Sequence, residues 1–333
     1  MKILKIPWKF LIFCRYIGIS FYEHWIRMPL GILYCMFRFR DRDTTYLVIC
    51  DHIGDMLFSM GYARAYRARK DIKRLAVITK SSLVPLTELY PEDVDTAIVI
   101  PPFFLQAILK GQRTQFGYLL YRHFKHIVII EPANHVTGTF DFIQKFPQVY
   151  LIDCIRYGIL GLEENCRYEL PVNTRMGALD KTAPFEKGLT GKTVVLCPYA
   201  QAIEEIDGEL FQRLAEELTQ REYEVFTNTG SKREKEIPGT KRFSYDLKTT
   251  FSLAATEISC FVGLRSGLLD LAQHAGCGVL ALYPPDSDME HFFALGQGVL
   301  SGDRACQYRI TEDMDGDIQK IFGYIEQLTG DRV

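Results

Sequence analysis

The stretch Ile258-Ser259-Cys260-Phe261-Val262-Gly263-Leu264-Arg265-Ser266-Gly267-Leu268-Leu269-Asp270 decides the fold. Its first five residues carry no charge, which predicts a strand over 258–262 buried on both faces. Gly263 and Gly267 then mark a turn, and a helix is predicted from about Ser266 to Ala275. A buried strand that runs through a glycine turn into a helix is the repeating unit of a doubly wound parallel sheet.

The same unit recurs along the chain. Tyr46-Leu47-Val48-Ile49-Cys50, Leu75-Ala76-Val77-Ile78-Thr79, Ala97-Ile98-Val99-Ile100 and Ile127-Val128-Ile129-Ile130 are short apolar runs. Helical stretches are predicted after the first three, near 55–69, 82–90 and up to about 124. Residues 171–191 hold Pro171, Gly177, Pro184, Gly188 and Gly191 and are read as a linker. The pattern then restarts with a strand, Thr193-Val194-Val195-Leu196-Cys197, closed by Pro198. A helix follows over about 207–221, with Leu210, Phe211, Leu214, Ala215 and Leu218 on one face. Strands at 224–227 and 279–283 and an amphipathic helix over about 312–328 complete the second set. The chain is therefore expected to be α/β, with two facing doubly wound units, 44–185 and 186–333, behind a separate segment 1–43.

At 333 residues the chain is long enough for two such domains. A net charge of -2 leaves no overall electrostatic footprint for nucleic acid, so none is expected as a partner. Nine cysteines lie without a CxxC pair and the seven histidines without an HxxxH spacing, so neither a disulfide framework nor a metal site is expected. Buried thiols of this kind suit a reducing, cytosolic compartment.

Residues 1–40 differ from the rest. Lys2, Lys5, Lys9, Arg15, Arg27, Arg38 and Arg40 stand against one acid, Glu23, with aromatic and aliphatic residues between them. Both tryptophans, Trp8 and Trp25, lie here. The apolar runs are too short to span a bilayer, and no small-residue cleavage site follows them. The pattern suits a segment lying in the interface of an anionic membrane, or helices packed on the body of the protein.

Five loops follow strands and face the expected cleft. In Asp51-His52-Ile53-Gly54-Asp55, Asp55 stands where a carboxylate caps a helix or takes a proton from a hydroxyl in the cleft, and Gly54 allows close approach. His52 is read as a loop residue near the acceptor. Gly263, Arg265, Ser266 and Gly267 form a turn at a helix start, where N–H groups, an arginine fork and a hydroxyl suit a diphosphate. Tyr199, Ala200 and Gln201, after Cys197-Pro198, either meet a donor or form an ordinary strand exit. Asn134 and His135, in Glu131-Pro132-Ala133-Asn134-His135, are candidates for an acceptor. Asp286, Glu290 and His291, after Pro284-Pro285, read equally as surface and cap residues.

Ile53-Gly54-Asp55-Met56-Leu57, Val195-Leu196-Cys197-Pro198-Tyr199-Ala200 and Gly263-Leu264-Arg265-Ser266-Gly267-Leu268 resemble the motifs of glycosyltransferase family 9, the heptosyltransferase-like enzymes, over roughly 44–330. The resemblance implies the GT-B fold of two facing Rossmann-like domains, an N-terminal one for the acceptor and a C-terminal one for the nucleotide-sugar donor. It implies that Asp55 is the base that activates the acceptor hydroxyl. It also places the donor's diphosphate on Tyr199, Ala200, Gln201, Arg265, Ser266 and Gly267, with no divalent metal and no cofactor beyond the substrate itself. Two departures bear on the donor. A Lys-x-Trp stretch of the family reads Glu204-Glu205-Ile206-Asp207 here, and Arg265 and Ser266 replace an acidic residue and a threonine.

The expected activity is that of an inverting, metal-independent glycosyltransferase. It would act on a hydroxyl of an envelope glycan or glycolipid, lipopolysaccharide or capsule, as a peripheral protein on the inner face of the cytoplasmic membrane. Two alternatives stay open: a nucleotide-sugar epimerase or hydrolase of the same fold, and a degenerate, non-catalytic protein that binds a glycan or a partner.

Overall fold

The computed structural model describes residues 21–49, 52–112, 124–130, 149–172, 192–200, 206–231, 233–287, 291–295 and 304–330. The first half opens with a π-helical turn, Glu23–Arg27, that runs into α1 (Met28–Arg38). It continues through β1 (Thr44–Ile49), α2 (Ile53–Gly61), α3 (Ala63–Lys70), β2 (Arg74–Thr79), α4 (Val84–Thr87), β3 (Thr96–Val99), α5 (Pro102–Gln112) and β4 (Ile127–Ile130). A short helix, α6 (Leu151–Asp153), leads into a π-helical stretch, Cys154–Ile159. The second half holds β5 (Thr193–Cys197), α7 (Gly208–Gln220), β6 (Glu224–Asn228), β7 (Lys241–Phe243), α8 (Leu247–Thr256), β8 (Cys260–Leu264), α9 (Gly267–His274), β9 (Gly278–Tyr283), β10 (Ala305–Arg309) and α10 (Met314–Gly330).

The strands form two sheets, β3-β2-β1-β4 and β10-β9-β8-β5-β6-β7, and every pairing is parallel. Alternate side chains of each central strand enter different cores, the two-fold period expected of a strand covered on both faces. From β5, Val194 and Leu196 join α7 and α10, whereas Val195 and Cys197 join the layer that contains α8 and α9. From β1, Tyr46 and Val48 join α1 and α5, and Leu47 and Ile49 face α2. This last core does not stop at the first sheet: Phe251 of α8, Leu271 of α9 and Phe292 are part of it. The two halves therefore share apolar contacts.

Several predicted boundaries move. The helix expected over 55–69 is two, broken at Tyr62. Here the Glu169 N–H donates to the Gly61 carbonyl at 2.8 Å, and the Tyr168 ring lies against Gly61. A side chain inserted beside a helix and a carbonyl drawn out of its ladder are ordinary causes of such a break. The strand expected over 258–262 runs from Cys260 to Leu264, because its partners Val194 to Cys197 on β5 set its register. The short edge strands β7 and β10 were missed: Lys241-Arg242-Phe243 and Ala305–Arg309 are half-polar and lack an apolar run. The linker lies mostly outside the described residues, as does the expected boundary at 185/186. Among the described residues no helix is long and apolar enough to cross a membrane.

Candidate functional site at two facing helix starts

Strand order reverses between β1 and β4 in one sheet and between β5 and β8 in the other. Loops at the carboxyl ends of such strands diverge to opposite faces and leave a crevice for a ligand. The helices that start there are α2, after β1, and α9, after β8.

His52 is the exposed, extended N-cap residue of α2, and its side chain does not cap the helix. Asp55 lies in the first helical turn and is 5% exposed. His52 and not Asp55 holds the N-cap position, and a carboxylate inside the first turn sits in the positive end of the helix field. On the other side Ser266 is the extended N-cap residue of α9, and its hydroxyl makes no capping bond. The chain turns into α9 through its backbone, with Leu269 N–H donating to the Ser266 carbonyl at 3.0 Å.

The two helix starts touch. A methyl group placed on Gly267 would lie 2.8 Å from Cβ of Ile53 and 2.9 Å from the nitrogen of Gly54. One placed on Gly54 would lie 2.6 Å from a carboxylate oxygen of Asp270. Both glycines thus serve an approach that no larger residue permits. Gly263 acts within the second sheet, where a methyl would collide with the Cys197 carbonyl at 2.1 Å.

Arg265 is placed otherwise than the sequence suggests. Its guanidinium is buried and forms a two-pronged pair with Asp270, Nη2 to Oδ1 at 2.7 Å and Nη1 to Oδ2 at 3.0 Å. Nη1 also donates to the Ser266 carbonyl at 2.8 Å and Nε to the Phe293 carbonyl at 2.5 Å. Burial alone would lower the guanidinium pKa; Asp270, with Tyr283 also contributing, outweighs it and raises the net value. Four of the five donors of the fork point inward and form an internal tie that fixes the turn before α9.

Asp270 also leads to a second buried link. Its carbonyl accepts from His274 Nδ1 at 2.7 Å, which leaves Nε2 to accept from the Tyr168 hydroxyl at 2.6 Å. That tautomer follows because a carbonyl cannot donate. Burial lowers the His274 pKa and pushes the Tyr168 phenol well up, so both are neutral near pH 7. Tyr168, from the first half, is thereby fastened to a helix of the second.

Tyr199 faces the segment after β6: its hydroxyl donates to the Lys235 carbonyl at 2.8 Å and accepts from the Lys235 N–H at 3.1 Å. Ala200 packs against the core around α7. Gln201, Asn134, His135, Asp51, Glu204, Glu205 and Glu290 lie outside the described residues. Asp286 is exposed and His291 half-buried. Asp270, His274 and Tyr168 were not singled out from sequence. An arginine five residues before an aspartate is not a helix-face spacing, and Tyr168 is 106 residues from His274. No local signal could have joined them.

A pocket of about 280 Å³ opens at the carboxyl edge of the second sheet, between the starts of α7 and α10, with Ile206, Leu210, Pro284 and Met314 among its walls. Among the described residues no three His, Cys, Asp or Glu side chains are grouped to hold a metal ion.

No protein-family model and no curated protein matches the sequence. Solved structures do match. The E. coli ADP-heptose lipopolysaccharide heptosyltransferase II is 17% identical over 86% of this chain and 99% of its own, with a TM-score of 0.57. A glycosyltransferase family 9 protein of Veillonella parvula is 11% identical over 86% and 97%, at 0.55. E. coli heptosyltransferase WaaC with ADP is 11% identical over 84% and 99%, at 0.50. With its two parallel sheets and facing helix starts, the chain has the GT-B fold in its heptosyltransferase-like form.

Proposed function

We propose that the protein is an inverting glycosyltransferase that moves a sugar from a nucleotide-sugar to a hydroxyl of an envelope glycan. The observation that carries this reading is Asp55 in the first turn of α2, with the start of α9 directly against the same turn. Asp55 takes the proton of the acceptor hydroxyl while that oxygen attacks the anomeric carbon from the face opposite the diphosphate. The bond from the anomeric carbon to the diphosphate oxygen breaks, and charge gathers on the departing nucleoside diphosphate. The N–H groups at the start of α9 and the Ser266 hydroxyl are suited to that charge, and in this reading no metal is required. Arg265 acts through position: its tie to Asp270 holds the turn from which those N–H groups point. The similar E. coli proteins are an ADP-heptose lipopolysaccharide heptosyltransferase and a heptosyltransferase with ADP, which favours an ADP-linked sugar as donor.

The engagement of Arg265 by Asp270, with acids at 204 and 205, favours one second reading: a degenerate protein that binds a glycan without turnover. Thermal denaturation with ADP, UDP, GDP, CMP and dTDP, each with and without magnesium, separates the two. Stabilisation by ADP without metal supports the transferase; a hundredfold excess over Kd corresponds to about 2.7 kcal/mol. Indifference to every nucleotide, in protein that is folded, supports the degenerate reading. Asp55→Asn should then lower transfer by about 10²–10⁴-fold while nucleotide binding persists. An unchanged rate removes Asp55 from the role of base.

A further inference from the structure

The helical segment ahead of the first sheet has two unlike faces. Met28, Gly31, Ile32 and Cys35 are buried, and a methyl on Gly31 would lie 2.8 Å from Cβ of Ala107 on α5. This face closes the first sheet's outer core with Phe39, Tyr46 and Val48. On the opposite side Trp25, Ile26, Leu30, Leu33, Met36 and Phe37 are exposed, Trp25 by 72% and Phe37 by 71%. Ile26, Leu30, Leu33 and Phe37 follow one another at intervals of four, three and four, so they form a single ridge along the helix. Most of the exposed large apolar side chains among the described residues lie on this one segment.

Basic residues outnumber acids around the ridge, where Glu23 at its start and Asp43 at its end are the acids besides Asp41. Arg38, Arg40 and Arg42 are exposed at its end. Asp41, which stands among them, is paired with Arg74 at 2.8 Å. The twenty residues before the segment carry Lys2, Lys5, Lys9 and Arg15 and no acid. A ridge of this kind on a soluble surface marks a place where something else binds. Tryptophan and other aromatics beside arginines suit the boundary between headgroups and acyl chains, and excess positive charge suits an anionic surface.

We infer that the ridge Ile26-Leu30-Leu33-Phe37, with Trp25 and Met36 beside it, is a docking face for an anionic lipid bilayer. The helix lies in the interface with its inner face still packed on α5, so the whole first sheet is carried against the membrane as a rigid body. The inference does not rest on the proposed transfer reaction, since binding needs no turnover.

Full-length protein is mixed with vesicles of phosphatidylcholine alone and of phosphatidylcholine with roughly one-third phosphatidylglycerol. The only tryptophans are Trp8 and Trp25, so intrinsic tryptophan emission reports this end of the chain and nothing else. Emission should move to the blue and the protein should float with the anionic vesicles, less so at high salt. Ile26→Glu/Leu33→Glu/Phe37→Glu should weaken partitioning by at least about tenfold, since each change removes an apolar anchor and adds a repelled charge. Phe37→Ser alone, a milder change, should weaken it by a smaller factor. Leu170→Glu, at an exposed apolar residue elsewhere, should leave partitioning unchanged. Equal binding of the triple variant or equal binding to neutral vesicles would overturn the inference. So would a triple variant that only separates an oligomer on a sizing column, which would make the ridge a contact between copies of the chain.

Discussion

Arg265 and Asp270 form a buried pair whose two members each need the other. Removing one leaves a charge without compensation in a dry setting, which usually costs about 3–5 kcal/mol. Asp270→Ala should therefore lower the urea unfolding free energy by about that much, and Arg265→Met/Asp270→Leu together by clearly less. If the single change costs less than about 1 kcal/mol, the pair is not the tie described here. His274 gives a second test at this scale. Its folded pKa lies below the ordinary 6.5, first because of burial, so below that value the unfolded chain binds a proton that the native one refuses. Its contribution to stability is whole above pH 6.5 and is lost as pH falls from there toward the folded pKa. His274→Asn, which keeps a donor toward the Asp270 carbonyl, should unfold with a shallower dependence than the parent between pH 7 and 5. Parallel curves for the two proteins would show that another group carries the dependence.

At the scale of elements, the start of α9 against the start of α2 is the contact that shapes the site. Gly267→Val puts two methyls and a Cβ where Ile53 and Gly54 stand, 2.8 and 2.9 Å away. Backbone must move to admit it, so a loss of about 1–3 kcal/mol is expected, and with it weaker ADP binding where Gly323→Ala, with open space around it on α10, leaves ADP binding unchanged. A Gly267→Val protein that binds ADP as the parent does would separate this contact from the donor site. Asp55 and Gly267 were legible in the sequence because each follows a buried strand by a short loop, a local pattern. The role of Gly267 in bringing two helices together was not, since Ile53 is more than two hundred residues away.

For the whole molecule, the core around α2 extends into the second half through Phe251, Leu271 and Phe292. The Leu151 N–H donates to the Phe292 carbonyl at 3.0 Å, and Lys248 on α8 pairs with Glu88 beside α4. That surface ion pair is exposed and adds little, so the apolar contacts set the coupling between the halves. Calorimetry should show one transition for the parent protein. Leu271→Ala, fully buried at this junction, should cost about 2–5 kcal/mol and separate the unfolding of the two halves. Two resolved transitions in the parent would mean that the halves fold independently.

Taken alone, the sequence determined two parallel sheets, all their strands but the edge strands β7 and β10, and the turns that lead into α2 and α9. Those features rest on short-range alternation and on turn residues, which neighbours in sequence suffice to set. Only the tertiary structure decided that Arg265 faces Asp270, that Tyr168 is bonded to His274, and that one face of α1 is covered while the other is bare. A charged or aromatic side chain has no intrinsic destination. What it meets depends on which distant elements the apolar cores bring beside it, and that is fixed only when the two sheets close on each other.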